Sequence, residues 1–141
     1  MDMYAPMVRR EVYLVCFDGG HRLGLVPGSP GLVSLPMSAC APGEPYKAAA
    51  RRLAVGTALR FGGTVARLLL ESRGGDARRD VCLFTAHVES DLRLLWLWVP
   101  WRQAAREVVH LGIPELELFV EGYLEGWIPD GRITLIPDGR C

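Results

Sequence analysis

The chain has 141 residues, of which 50% are hydrophobic and 23% are charged. That composition excludes a disordered chain and is typical of a folded globular protein with its own core. The 16 basic and 16 acidic side chains cancel, so the net charge gives no reason to expect general attraction to nucleic acid or to an anionic membrane.

The first half of the chain shows strand patterns followed by a helix pattern. Arg10–Pro27 has two apolar runs on either side of a D-G-G turn, which predicts a β-hairpin. Leu32–Pro36 predicts a third short strand, and Met37–Glu44 predicts a loop. Pro45 suits the start of a helix. The alanine-rich residues after it predict a helix that ends at the FGG of residues 61–63.

The second half returns to strands and then ends in helices. Thr64–Ser72 and Asp80–Ser90 flank a polar turn and predict a second hairpin, and Leu92–Pro100 predicts a buried strand. Residues 101–112 have helix formers and a final glycine, which predicts a helix with a glycine stop.

A last helix is predicted from Pro114 onward, because apolar residues recur there on one helical face. These residues are Leu116, Phe119, Val120, Tyr123 and Leu124. GRITLIPDG, at residues 131–139, predicts a final strand. The order of elements predicts an α/β (α+β) fold with a mixed sheet and about three helices. We expect a single domain over residues 1–141, with a core at about 10–125 and a tail at 126–141.

The cysteines and the apolar runs indicate where the protein resides. Cys16 and Cys82 lie in apolar runs and are expected to be small core residues, whereas Cys40 lies in a loop and Cys141 is the last residue. This pattern suits a reducing compartment better than a disulfide scaffold. The N-terminus lacks a signal-peptide pattern, and no apolar run approaches the roughly 20 residues that span a bilayer. We therefore expect a soluble intracellular protein, cytoplasmic or nuclear, without a membrane partner.

Several motifs share the order and spacing of one known family. LPMS at 35–38 is followed by the five-residue spacer ACAPG and by Glu44. RRDVCLFTAHV follows at 78–88, and LWVPWRQAAREV at 97–108. Together they resemble the Nudix (MutT-like) hydrolase superfamily, with its Leu-Pro-Gly-Gly turn, its G-x5-E-x7-R-E-U-x-E-E-x-G-U box (U is a bulky aliphatic residue), its long central strand and its Trp-Val-Pro helix entry. The resemblance extends from about Val12 to Leu124 and implies an α/β/α sandwich.

The resemblance also implies a chemistry. Nudix enzymes cleave a pyrophosphate linkage in nucleoside diphosphate derivatives, and the glutamates of the box hold Mg²⁺ or Mn²⁺, which polarises the phosphate and activates a water. Here the box departs from that pattern in its middle.

Two alignments of the box are available, and neither leaves a glutamate after Glu44. Without a gap, Arg52 takes the arginine position, and the three glutamate positions become Leu53, Gly56 and Thr57. With a one-residue deletion, Arg51 takes that position, and the three become Arg52, Val55 and Gly56. The deletion keeps Leu53 at the aliphatic position and is preferred for that reason. Either alignment gives a degenerate box.

The first functional hypothesis is a Nudix-fold protein that lacks metal-dependent pyrophosphohydrolase activity and acts as a nucleotide- or protein-binding module. Glu44, Arg51 and Arg52 are its candidate ligand-binding residues, because they lie at the mouth of the box. Trp98 is a further candidate, since an indole can stack on a nucleobase, although core packing is the favoured interpretation. No cofactor is expected, and Glu44 is the one candidate metal ligand.

The second hypothesis is an atypical active Nudix hydrolase that cleaves nucleoside diphosphate-linked substrates. It would hold Mg²⁺ or Mn²⁺ at a rearranged site, with Glu44 joined by Glu89, Asp91 or Glu107. The favoured interpretation of the last three residues is that they are solvated surface acids.

The third hypothesis is a small α+β protein-interaction domain unrelated to nucleotides, whose C-terminal segment would form a partner or homodimer surface. A basic stretch bears on all three hypotheses. Arg51, Arg52, Arg60 and Arg67 would contact a nucleotide phosphate or an acidic partner, but a solvated helix face is the favoured interpretation. A single basic helix in a neutral chain is weak support for nucleic-acid binding.

Overall fold

The computed structural model describes residues 7–28, 30–55, 57, 59–71, 77–88, 96–128 and 131–134. The strands are β1 (Met7–Phe17), β2 (Arg22–Pro27), β3 (Val33–Ser34), β4 (Met37–Ala39), β5 (Leu59–Glu71), β6 (Ala77–Val88), β7 (Leu97–Pro100) and β8 (Gly131–Thr134). The helices are α1 (Tyr46–Leu53), α2 (Trp101–Glu107) and α3 (Leu116–Glu125), with a 3-10 turn at Val109–Leu111.

Across the described residues, the eight strands form one mixed sheet in the order β3-β2-β1-β6-β5-β8, with β4 paired to β1 and β7 paired to β2. β1 runs parallel to β6 from the Met7–Ala77 pair to the Phe17–His87 pair. β5 is antiparallel to β6, and β8 is parallel to β5. The mixed sheet and the three α-helices confirm the predicted fold class.

Successive side chains of β1 are buried on opposite faces of this sheet, as the two-residue period of a strand requires. Val12 and Leu14 pack in one cluster with Ala49 and Ala50 of α1. The other cluster joins the alternate residues of β1 to α2 and α3: Tyr13, Val15, Phe17, Ala104, Phe119 and Val120. The sheet therefore lies between α1 on one face and α2 with α3 on the other.

A buried ion pair ties β1 to β6 on the face of α2 and α3. Glu11 is only 8% exposed, and it accepts a hydrogen bond from Arg79 Nε at 3.0 Å. The same guanidinium donates to the hydroxyl of Tyr13 at 2.9 Å and to the carbonyl of Leu111 at 3.3 Å. A buried carboxylate needs such a charged partner, so this contact fixes the register of two neighbouring strands.

Most of the predicted elements are confirmed. The first hairpin forms from β1 and β2, with a turn that the Asp18 carboxylate closes by accepting from the backbone of Gly20 and Arg22. The second hairpin is β5 with β6. The helix predicted for residues 101–112 is shorter, because α2 ends at Glu107. A 3-10 turn at Val109–Leu111 follows, and it is this turn that ends at Gly112, whose φ of 75° is the left-handed conformation that favours glycine. The predicted apolar face of α3 points into the core.

The predicted loop at Met37–Glu44 is wrong in its first part, because Met37–Ala39 forms β4. These residues pair with Glu11–Tyr13 of β1 in antiparallel register. Their sequence has no strand pattern of its own. The strand forms because the edge of β1 offers unpaired backbone groups there, which is a tertiary effect.

The end of the first helix was also predicted wrongly. α1 ends at Leu53, and β5 begins at Leu59. The FGG of residues 61–63 lies within β5, where the pairing with β6 shifts between Phe61 and Val65. Glycine inside a strand often marks such a bulge, so these glycines bend a strand and do not stop a helix.

The remaining predictions concern cysteines and membrane spans. Cys16 and Cys82 are buried, with 0% and 4% exposure, as expected. Cys40 is half-buried, and Cys141 lies outside the described residues. In the part of the chain that the structure describes, no helix has the length and apolar character that crossing a bilayer requires.

Trp96 and Trp98 pack together over a glycine in the neighbouring strand. Their ring centroids lie 5.9 Å apart, and Gly24 of β2 is the backbone partner of Trp98. A Cβ at Gly24 would lie 2.6 Å from Cε3 of Trp96 and 3.1 Å from Cη2 of Trp98. The missing side chain therefore makes room for both indoles.

Gly24→Ala should destabilise the fold by about 1–3 kcal/mol, because two rigid rings must move to admit the methyl group. Urea unfolding followed by tryptophan fluorescence measures this loss. Gly19→Ala is the matched control, since a Cβ there meets nothing within 4 Å, and it should stay within about 0.5 kcal/mol of the parent. Equal stability of the two variants would contradict this packing role.

Candidate functional site

The segment before α1 is held against β1 by backbone hydrogen bonds. The N–H of Leu14 donates to the carbonyl of Pro36 at 2.9 Å, and the N–H of Cys40 donates to the carbonyl of Arg10 at 2.8 Å. Gly43 has a φ of 76°, a conformation that glycine adopts without strain. The loop thus returns to the sheet and delivers Glu44 to the start of α1.

Glu44 closes this loop on itself. Its backbone N–H donates to the carbonyl of Ala41 at 2.9 Å, and its Oε1 accepts from the N–H of Ala41 at 2.9 Å. Oε1 of the carboxylate therefore points back toward the loop.

Arg52, in the last turn of α1, binds both oxygens of Glu44. Its Nη2 lies 2.7 Å from Oε1, and its Nε lies 3.0 Å from Oε2. The guanidinium also donates to Oγ of Ser38 and to the carbonyl of Ala39, each at 3.1 Å. A two-point arginine–carboxylate pair has a fixed geometry, so Arg52 acts as a clasp between the helix end and the loop. We call this arrangement the Arg52–Glu44 clasp.

The clasp changes the acid–base character of Glu44. The hydrogen bonds from Arg52 lower the pKa of Glu44 to about 2, with a second contribution from the N–H of Ala41. The same bonds raise the pKa of Arg52. A carboxylate with so low a pKa is a weak base near neutral pH, because efficient proton transfer needs a pKa close to the working pH.

The residues around the clasp do not fit Mg²⁺ or Mn²⁺. Such cations take several oxygen ligands, usually including more than one carboxylate. The sequence of α1, YKAAARRL, contains no acid, and Arg52 already neutralises Glu44. Among the residues that the structure describes, no group of three or more His, Cys, Asp or Glu side chains converges to hold a metal ion.

The other box positions divide between the core and the surface. Leu53 is half-buried and packs against the cluster of Val12 and Leu14, as the aliphatic position of the gapped alignment requires. Val55 is 76% exposed, and Arg51 is exposed on α1. Gly56 lies outside the described residues. The clasp itself joins the two residues that the ungapped alignment places at the first glutamate and the arginine of the box.

Of the acids proposed as additional ligands, only Glu107 lies among the described residues, and it is not brought to Glu44. Glu107 is exposed on α2, where it accepts a hydrogen bond from Gln103 at 2.8 Å. Since α2 and α1 cover opposite faces of the sheet, the sheet separates Glu107 from the clasp. Glu89 and Asp91 lie outside the described residues.

The predicted basic stretch is divided among different contacts. Arg67 forms a two-point pair with Asp80, with distances of 2.7 and 3.1 Å, and it also lies near the ring of Tyr46. Arg60 lies in β5 opposite His87. The basic stretch is therefore not one solvated helix face.

Trp98, the aromatic candidate, is half-buried and packs on Trp96.

A second group of polar side chains, which sequence reasoning missed, lies on the other face of the sheet. Nε2 of His87 and the hydroxyl of Tyr123 are 2.6 Å apart. Burial, then the charges of Arg60 and His21, lowers the pKa of His87. The one sequence signal was His87 itself, near the end of a predicted strand, and nothing in the sequence places it beside Tyr123 of α3.

Comparison with solved structures identifies the fold. An Ap4A hydrolase from C. elegans, in a binary complex, matches with a TM-score of 0.65 and 18% identity over 84% of this chain and 97% of that one. The MutT protein from Methanosarcina mazei Go1 matches with a TM-score of 0.60 and 15% identity, over 88% and 98% of the two chains. E. coli dihydroneopterin triphosphate pyrophosphohydrolase matches with a TM-score of 0.60 and 12% identity, over 85% of this chain and 99% of that one.

These neighbours confirm the resemblance at the level of fold. No protein-family model matches the sequence, and no curated protein matches it. Identities this low establish a shared architecture and leave activity to be argued from the site.

Arg52→Gln should raise the pKa of Glu44 from about 2 toward its ordinary value of 4.5, because the charged two-point bond is lost. The pH dependence of the side-chain carboxyl ¹³C shift of Glu44 measures the change. Arg51→Gln removes the neighbouring charge without touching the bonds to Glu44 and should leave that pKa near its starting value. A similar rise in both variants would contradict the clasp.

Proposed function

We propose, from the premise that the chain has the Nudix hydrolase fold, that it is a binding module without metal-dependent pyrophosphohydrolase activity. The observation that supports this most directly is that α1, YKAAARRL, contains no acid. The helix that would supply carboxylates for a metal in a hydrolase of this fold here supplies Arg52, which binds both oxygens of Glu44.

Two chemical requirements of hydrolysis are unmet at the clasp. A divalent metal would need to displace Arg52 and would then find no second carboxylate on α1. Glu44 also cannot take a proton from an attacking water efficiently, since its pKa is about 2. The first point argues against a polarising cation, and the second argues against Glu44 as the base.

The ligand class follows from the fold more than from the clasp. The solved neighbours include proteins named for acting on Ap4A and on dihydroneopterin triphosphate. Both names denote phosphate compounds, and this chain shares the fold of the proteins that carry those names. A nucleotide-like phosphate compound is therefore the ligand that we propose, bound without hydrolysis.

The alternative is an active hydrolase, and the activity assay described below tests it. It would depend on carboxylates beyond α1, and the one described candidate, Glu107, lies across the sheet from Glu44. A protein-interaction role without a nucleotide would be indicated by the absence of any ligand response in the binding experiment below.

The purified protein should release no phosphate or nucleotide product above background from ATP, ADP-ribose or Ap4A with Mg²⁺ or Mn²⁺. Product separation by ion-exchange chromatography measures this, with an active Nudix hydrolase as positive control. Glu44→Gln should give the same background. Robust turnover that Glu44→Gln abolishes would overturn the proposal, because it would show that Glu44 still works in a metal site.

The same panel should raise the melting temperature of the protein in EDTA. A ligand present at 100 times its Kd stabilises the native state by about 2.7 kcal/mol, which corresponds to several degrees for a chain of this size. Differential scanning fluorimetry with and without divalent metal measures the shift. Stabilisation that appears only with metal would contradict metal-free binding, and no shift with any compound would contradict nucleotide binding altogether.

A further inference from the structure

A cavity lies between the sheet and α3, on the face opposite the clasp. Its volume is about 540 Å³, within the usual range of small-molecule sites. Its polar lining comes from the turn after β1, from β5, from β6 and from α3: His21, Thr64, His87 and Tyr123. Leu124 and Ile128 supply apolar surface. Polar groups from separate elements thus converge on one space.

Thr64 supplies a hydrogen-bonding group that nothing in the described part of the chain satisfies. The residue is only 1% exposed, and its Oγ1 has no hydrogen-bond partner. Buried hydroxyls are nearly always bonded, because leaving one unpaired is unfavourable. Thr64 lines the cavity, so a ligand that reaches Oγ1 from the cavity would complete this bond.

The His87–Tyr123 pair is held rigidly beside Thr64. The Tyr123 ring stacks on Phe17 with centroids 5.4 Å apart and an angle of 13°, and the His87 ring lies 5.6 Å from the same phenylalanine. A Cβ on Gly62 would come within 2.5 Å of the Tyr123 hydroxyl, so the glycine lets β5 approach this group. When His87 donates from Nε2 to the tyrosine oxygen, the phenolic hydrogen is directed elsewhere and can be donated to a ligand.

The electrostatic character of the cavity favours an anion. No carboxylate occurs among its described lining residues. Burial is the main cause that lowers the pKa of His87, followed by the proximity of Arg60 and of His21. A negatively charged group in the cavity would meet no carboxylate of the described lining and would accept hydrogen bonds from the hydroxyl donors.

We propose that this cavity binds the phosphate group of a small phosphate monoester without a divalent metal. Thr64 and Tyr123 donate their hydroxyl hydrogens to the phosphate oxygens, and the organic part of the ligand lies on Leu124 and Ile128. This proposal rests on the proposed binding function and places its ligand away from Glu44, Arg51, Arg52 and Trp98.

Titration calorimetry in EDTA tests the site with adenosine 5′-monophosphate as the probe. We expect binding of this compound, weaker binding of inorganic phosphate, which lacks the organic part, and no detectable binding of adenosine. Thr64→Val and Tyr123→Phe should each weaken binding by roughly tenfold or more, the usual effect of losing a hydrogen bond to a charged group. Each variant keeps the shape of the side chain and removes only its hydroxyl group.

Matched controls make the same chemical changes elsewhere in the fold. Tyr46→Phe removes a phenolic hydroxyl on α1, and Thr57→Val removes a hydroxyl that bonds to the carbonyl of Ala54. Both should bind the probe as the parent does. Circular dichroism melts of all four variants show whether each one is folded under the conditions of the titration.

The possible results distinguish a failure of this site from a failure of the proposed nucleotide binding. Equal binding by Thr64→Val, Tyr123→Phe and the parent would overturn the site and leave nucleotide binding intact. Equal affinity for adenosine and its monophosphate would overturn phosphate recognition. If the parent binds none of these probes but responds to the nucleotide panel, the site proposal fails alone. If it responds to neither, both proposals fail.

Discussion

Along β1, alternate side chains are buried on opposite faces of the sheet, and the three helices cover both of these faces. A strand that is paired in parallel and buried on both sides needs cover on both faces. α1 covers Val12 and Leu14, and α2 with α3 covers Tyr13, Val15 and Phe17. The Glu11–Arg79 ion pair then holds β1 in register with β6. Any site in this fold must form on one of the two faces.

The two faces of the sheet differ in how their polar side chains are paired. On the α1 face, two charged pairs form, because Arg52 binds Glu44 and Arg67 binds Asp80. On the α3 face, the hydroxyl of Thr64 lacks a partner among the described residues, and burial, with nearby Arg60 and His21, lowers the pKa of His87. A polar group with its bonds satisfied stabilises the fold, whereas one without a partner favours a ligand that can bond to it.

The clasp accounts for the attachment of α1 to the loop that precedes it. Arg52 binds both oxygens of Glu44, and this two-point pair fastens the end of α1 to the loop. Arg52 further bonds to Ser38 and Ala39, so one side chain secures both ends of the turn.

The sequence by itself determined the alternation of strands and helices, the mixed sheet, the buried face of α3 and the absence of carboxylates from α1. These features are local, since they follow from periodicity and from residue identity. Tertiary structure alone decided that Met37–Ala39 would become a strand, that residues 61–63 would lie within β5, and that Arg52 would close on Glu44. It also brought Thr64, His87 and Tyr123 to one cavity. Such contacts depend on the register of distant strands, and no pattern within a single segment encodes that register.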